Sequence, residues 1–486
     1  MEFPTRMYLG GTLRNSATTL PVENPATEQV IATVATADNG HIHEALEHAQ
    51  AAFPMWSQTS IAERQNWMRR LRDEVVANED YLRLCIHHEM GRPWASTQED
   101  FDSLRNSLDF YAEEIARLND YSLVDRAGTH RHRMVHEPAG VVVAFLAWNF
   151  PLLNLAFKLG PAMAAGCPII IRPSNDTPIS AYAVGELCER IGLPKGVVQI
   201  VATASYEAAD LLSSSTIPAV LTLIGSTATG RHIMRTGATS IKKYSMELGG
   251  NAPALVFPDA DLDLAANILC GVKFNNAGQI CVSPNRVFVH RDVLENFTSK
   301  AVALADQATV GWDRNADVTT GPVINRKARL RIKALVDDAV TKGATLLAGG
   351  DRPAALDRGH YIAPTVLTDV TPDMELYRQE NFGPVISIIP FDDDTPLIAA
   401  ANEGDDGGLT AYVFTNDLAR AEDCAARLRY GEVQINGVKY DIDLPHGGIG
   451  QSGIGHDCSN LALQDYLVLK RVTQALPHAR PSGDAT

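Results

Sequence analysis

With 486 residues, 45% of them apolar, the chain is long enough to bury large cores, and ordinary domain sizes imply two or three of them. Its formal net charge of -16 leaves no dominant basic face, which argues against nucleic acid or another polyanion as a partner. No apolar run approaches the roughly 18 residues of a membrane span, the N-terminus MEFPTRMYLGG is not signal-like, and seven thinly spread cysteines without a CxxC pair suit a reducing cytoplasm, where the protein is expected with no membrane partner.

After a short strand-rich start, apolar residues at three-to-four spacing through HIHEALEHAQAAFPMW and IAERQNWMRRLRDEVV predict helices over much of the first 120 residues. RAGTHRHRMVHEP, up to residue 138, reads as a strand interrupting this first unit. From residue 140, GVVVAFLA, CPIIIRPS, VVQIVA and AVLTLIGS alternate with amphipathic segments, a β-α-β-α-β-α-β pattern. Near-continuous apolar strands separated by helices imply a parallel sheet covered on both faces, with a nucleotide site beyond the strand carboxyl ends. Thr177 before Pro178 predicts a helix cap, and Gly192 a helix end. A second alternating set, with APALVF, NRVFVH, VISIIPF and LTAYVFTN, predicts a second α/β domain up to about residue 446. The polar tail 478–486 is expected to be mobile.

Taken singly, the candidate motifs leave alternatives open. GSTATG (225–230) puts a glycine turn and hydroxyls before a helix, where free N–H groups favour phosphate, yet such turns are often purely structural. Arg172, at a strand end before Pro173, Ser174 and Asn175, suits a ribose or phosphate contact or a solvated surface. Glu247 precedes a glycine pair that admits close backbone approach, and Cys281 lies in AGQICVSPNR without a metal-ligand partner nearby. A lone cysteine is usually a small core residue; it becomes a nucleophile where its thiolate is stabilised. His130, His132 and His136 could in principle chelate a metal, but no carboxylate or cysteine joins them nearby, so no metal is predicted.

In order along the chain, AWNFP (147–151), GSTATG, MELGGNAP (246–253), GQICVSPNR (278–286) and ENFGP (380–384) closely resemble the aldehyde dehydrogenase superfamily, from NPAT at residue 24 to QDYLVLKR at residue 464. The resemblance implies a Rossmann-type dinucleotide-binding domain (1–126 and 139–246), a second α/β catalytic domain (247–446) and a small β oligomerisation element (127–138 and 462–477), assembled as a homodimer or homotetramer. It implies Cys281 as nucleophile, Asn149 as oxyanion donor, Glu247 as the base for thioester hydrolysis and Lys158 as a lysine near the active centre. It assigns Trp148, Arg172, Ser174, Asn175, Gly225, Ser226, Leu248, Glu380 and Phe382 to NAD or NADP, and Asn154, Phe157, Asn275, Ile280, Val282, Asp441 and His446 to the aldehyde. That polar, modest lining favours a small polar aldehyde or semialdehyde.

The sequence departs from the family pattern where Arg172 and Asn175 replace a lysine and a glutamate, which removes a carboxylate that would repel a 2′-phosphate and leads to the expectation that NADP is tolerated. Ala228, His446 and Gly450 replace a frequent glutamate, phenylalanine and lysine. An anionic substrate could be held by Arg286 or His446, a cationic one by Asp441 and Asp443. Two alternatives remain: a coenzyme A-acylating enzyme, against which Glu247 argues, and a catalytically silent binding protein, against which Cys281, Glu247 and Asn149 together argue.

Overall fold

The structure, a computed structural model, describes residues 2–477 except 204, 393 and 404–406. The expectation of a mobile tail at 478–486 lies outside the described residues.

Eight strands form the first sheet, in the order Gly453–Ile454, Lys243–Leu248, Pro218–Gly225, Val141–Phe145, Ile169–Arg172, Val198–Ile200, Met7–Leu9 and Thr12–Arg14. The five from Lys243–Leu248 to Val198–Ile200 run parallel. Their runs VVVAF and III are buried throughout, as a sheet covered on both faces requires. From Val141–Phe145 the chain adds two strands on one side, then returns to lay Pro218–Gly225 and Lys243–Leu248 on the other. Adjacent connections therefore diverge, and a crevice opens beyond residues 145 and 225. Glu247 lies in this sheet, opposite Ile224 and Gly453.

The helix Pro151–Ala165 follows the first of these strands and packs on Thr97–Arg117 at very short range. A Cβ on Gly160 would fall 2.3 Å from Ser107 Oγ, so glycine permits the approach. The helix Ile179–Arg190 differs from the predicted cap: its N-cap is Pro178, and Thr177 donates to Trp148 O at 3.4 Å instead. Buried Glu89 does the capping, accepting the N–H groups of Ile179 and Ser180 at 2.6 and 2.8 Å. A carboxylate at a helix N-terminus is favoured by dipole and hydrogen bond together. Gly192 adopts a φ of +67° just past the helix end, as predicted.

The second sheet orders Thr345–Ala348, Thr365–Thr368, Val385–Phe391, Arg286–His290, Pro253–Val256, Gly408–Phe414 and Tyr430–Ile435, parallel except for its first pair. Apolar clusters cover both its faces. A third, antiparallel sheet pairs Tyr121–Val124, His130–Pro138 and Leu467–Ala475, bringing the interrupting segment and the C-terminal strand together. Its outer strand is exposed after Leu467. Among the described residues no helix is long and apolar enough to cross a membrane.

Candidate active site

Cys281 is delivered by a strained loop. After the helix Leu262–Phe274, Asn276 and Ala277 take φ values of +48° and +52°, a region that non-glycine residues adopt only when neighbours enforce it. Here the neighbours do so: Asn276 Nδ2 donates to Asn149 O at 2.9 Å, and Gln279 Nε2 donates back to Asn276 O at 2.9 Å. Gln279 Oε1 accepts from Ile324 N, and Tyr412 Oη donates to Val282 O at 2.7 Å. Asn149 Nδ2 donates to Gln279 O at 3.0 Å, tying AWNFP to the cysteine loop. Asn285 donates to Asn251 and to Gln379 O and accepts from Asn381 N, so MELGGNAP and ENFGP are locked to the same loop.

Two cavities meet at this point. A cleft of about 340 Å³ at the strand switch is lined by Trp148, Gly225, Ser226, Glu380 and Phe382 among others, and a larger cavity of about 670 Å³ lies on the opposite side. Asn149, Ile224, Glu247 and Cys281 line both. Ser226 caps the helix Thr227–Gly237, its side chain accepting from Thr229 N. Trp148 and Phe382 stand edge to face with centroids 5.5 Å apart.

The cleft fits a dinucleotide. It holds a helix N-terminus for phosphate, and Glu380 approaches the backbone so closely that a Cβ on Gly249 would sit 2.6 Å from Glu380 Oε2. Burial pushes the Glu380 carboxyl up to about 8, against the pull of Lys273, whose ammonium burial lowers to about 7. Arg331, which the sequence reading missed, lines the cleft and donates to Glu380 O and Asn381 O at 3.0 and 2.7 Å.

Not every predicted residue converges here. Arg172, Ser174 and Asn175 lie at the end of the neighbouring strand and outside the cleft lining, with Arg172 donating to Thr203 Oγ1 and Asn175 Oδ1 at 3.2 Å each. The Leu248 side chain packs under Gly230 and not into the cleft. Asn154, Phe157, Ile280, Val282, Asp441 and His446 line the larger cavity. Asn275 does not, because it starts the tight turn Asn275–Gly278 and ends up behind the loop. Lys158 lines neither cavity: fully buried, it is bound to Asp457 at 2.5 Å, and Asp457 forms the cavity wall in its place. Arg286 cannot reach a substrate, since its guanidinium donates to the carbonyls of Asn251, Ala400, Ala401 and Glu403. His130, His132 and His136 each engage a different partner, Thr129, Thr473 and Asp120.

Electrostatics around Cys281 are unfavourable to its thiolate overall. Burial and the charge of Glu247 push the half-buried thiol up to about 12, and His446 pulls it down. His446 Nε2 lies 3.7 Å from Glu247 Oε1, and its Nδ1 lies 2.6 Å from Glu432 Oε1. Glu432 and Asp457 escaped the sequence reading.

Comparison with known proteins agrees with this architecture. Residues 12–472 match the model described as "Aldehyde dehydrogenase family". A glutarate-semialdehyde dehydrogenase of Pseudomonas aeruginosa is 38% identical over 93% of this chain and 93% of its own. A crystal structure of succinate-semialdehyde dehydrogenase from Burkholderia pseudomallei superposes with a TM-score of 0.95 at 38% identity, covering 98% of each chain. One of betaine aldehyde dehydrogenase from Staphylococcus aureus, in complex with NAD+, gives 0.93 at 30% identity, covering 97% of this chain and 95% of its own.

Proposed function

Because the chain belongs to the aldehyde dehydrogenase family and is thus an NAD(P)-dependent oxidoreductase, we propose that it converts a small polar aldehyde or semialdehyde to its carboxylic acid through covalent chemistry on Cys281 and hydrolysis by water. The observation that carries this reading is the sharing of Cys281, Asn149 and Glu247 by the two cavities, so that a carbonyl entering from one side meets the nucleophile at the mouth of the other.

Cys281 Sγ attacks the carbonyl carbon to give a thiohemiacetal. The second N–H of the Asn149 amide, the first being used on Gln279 O, stabilises the developing alkoxide by about 3 kcal/mol. Trp148, Gly225, Ser226, Glu380 and Phe382 would hold NAD(P), which would supply the acceptor for the hydride and so leave a thioester on Cys281. Glu247 Oε1, buried without a hydrogen-bond partner, is then free to take a proton from the water that releases the acid. That spare carboxylate favours hydrolysis over acyl transfer to coenzyme A.

The larger cavity narrows the substrate class. Among the described residues its cations are Lys439, paired with Asp441 at 2.9 Å, and His446, which sits between two carboxylates, while Glu99, Asp102 and Asp457, which also face it, are paired with Arg92, Arg105 and Lys158. That balance suits a small polar aldehyde or semialdehyde, the class to which the substrates named for the glutarate- and succinate-semialdehyde relatives belong. The three-stranded sheet, with Val468, Leu469 and Val472 exposed, is read as the assembly surface of a homodimer or homotetramer. Initial rates of cofactor reduction over a panel of anionic, neutral and cationic aldehydes, for wild type and Cys281→Ala, test the reading. Activity surviving in Cys281→Ala overturns it.

A further inference from the structure

His446 lies in the wall of the larger cavity, and the structure holds its imidazole from both ends. Glu432 Oε1 takes Nδ1 at 2.6 Å, and Glu432 is itself held by Thr410, whose hydroxyl donates to Oε2 at 2.9 Å. The backbone of His446 exchanges both hydrogen bonds with Asp457, at 2.8 and 2.6 Å. Tyr440 lies edge-on to the ring at 5.9 Å, and Phe157 packs against it at 6.4 Å. The remaining nitrogen, Nε2, is thereby aimed at the reaction centre: one side-chain atom each of His446, Cys281 and Glu247 lie within 4.8 Å of one another.

The carboxylate–imidazole–thiol order is that of a nucleophile, its base and the group that orients the base. The geometry points to His446, oriented by Glu432, as the proton acceptor and charge partner of Cys281. This rests on Cys281 being the nucleophile. The S–H bond breaks, its proton passes to Nε2, and the electron pair stays on Sγ. Sγ then forms the S–C bond as the carbonyl π pair moves to oxygen, toward Asn149. Glu247 is left for water, so the two halves of the reaction use different bases.

The surrounding charges favour the imidazolium but not the isolated thiolate. Burial opposes a charged ring, yet Cys281 and the carboxylates of Glu247 and Glu432 carry His446 well above the ordinary histidine range and so hold on the ring the proton that leaves Sγ. Its other titratable neighbours include Tyr440 beside the ring and the buried Asp457, Cys458 and Tyr412, while the ammonium of Lys158 is engaged by Asp457 and that of Lys439 by Asp441.

Iodoacetamide alkylation of Cys281, followed by peptide mass spectrometry across pH, tests this, because the other six cysteines are buried. Wild type is expected to show two inflections in its pH profile, from Cys281 and His446 together, while His446→Gln loses at least about tenfold at neutral pH and Glu432→Gln loses less, both regaining rate at alkaline pH. Alkylation of folded His446→Gln within about twofold of wild type overturns the assignment. Should the variants not fold, wild type alone decides: an alkylation rate that follows a single thiol ionisation, without a second inflection from the imidazole, overturns it. Persisting aldehyde oxidation in Cys281→Ala would instead overturn the nucleophile, a separate result.

Discussion

Removing the Lys158 ammonium isolates one carboxylate in the wall of the larger cavity. Both members of the Lys158–Asp457 pair are buried, with side chains 0% and 2% exposed, and Asp457 Oδ2 has no hydrogen-bond partner among the described residues, so Lys158 is the main compensation for that charge. Lys158→Met is expected to cost about 3–5 kcal/mol, the usual penalty for leaving one partner of a buried pair uncompensated. Lys158→Met with Asp457→Leu should recover to within about 1 kcal/mol of wild type, since a buried pair replaced by apolar groups is often neutral.

The pH dependence follows from the sign of the shift. Burial already raises the Asp457 carboxyl above its ordinary range, with Lys158 pulling it back, so the single variant raises it further. A carboxyl whose folded value exceeds its unfolded value adds stability when protonated and loses that contribution as pH rises through the folded value. The penalty in Lys158→Met is therefore smaller in acid than in base. Urea unfolding followed by circular dichroism at about pH 5 and pH 8, either side of the expected transition, measures it. A single-variant loss below about 1 kcal/mol, or one independent of pH, refutes the reasoning.

Asn149→Ala is expected to lower kcat by about 10²–10³-fold with little change in KM, as read from steady-state kinetics. Glu247→Gln should retain a first-turnover burst of reduced cofactor and lose later turnovers, which rapid mixing detects; loss of the burst as well would deny Glu247 a role confined to hydrolysis. NADP should show a KM within about a hundredfold of that for NAD, and Asn175→Glu should widen the gap. Leu469→Glu, on the exposed outer strand, should lower the molar mass measured by light scattering.

The parts of the site that could be read from sequence are those fixed by local backbone. Strand runs buried on both faces, the glycine turn at Gly225 and the cysteine loop declare themselves over a few residues, because sheet coverage and close approach constrain every position in them. Lys158 shows the limit of that kind of reading. Its spacing after AWNFP puts it one helical face from the centre, but whether its ammonium reaches the cavity depends on Asp457, almost three hundred residues away, which intercepts it. Asn275 fails for a related reason, since two left-handed residues that follow it turn the chain over.

Glu432 makes the strongest case, because its contribution exists only in combination. On its own strand it is a carboxylate between Gly431 and Val433, which any exposed edge would tolerate. Only the pairing of Tyr430–Ile435 beside Gly408–Phe414 and the return of the chain at 446 place it against His446. The same return carries Gly453 onto the strand of Glu247, so one crossing from the second sheet to the first positions both ends of the site. A change in the length of the 447–452 connection should therefore disturb the His446 and Glu247 geometries together, whereas a substitution at Glu432 should disturb His446 alone.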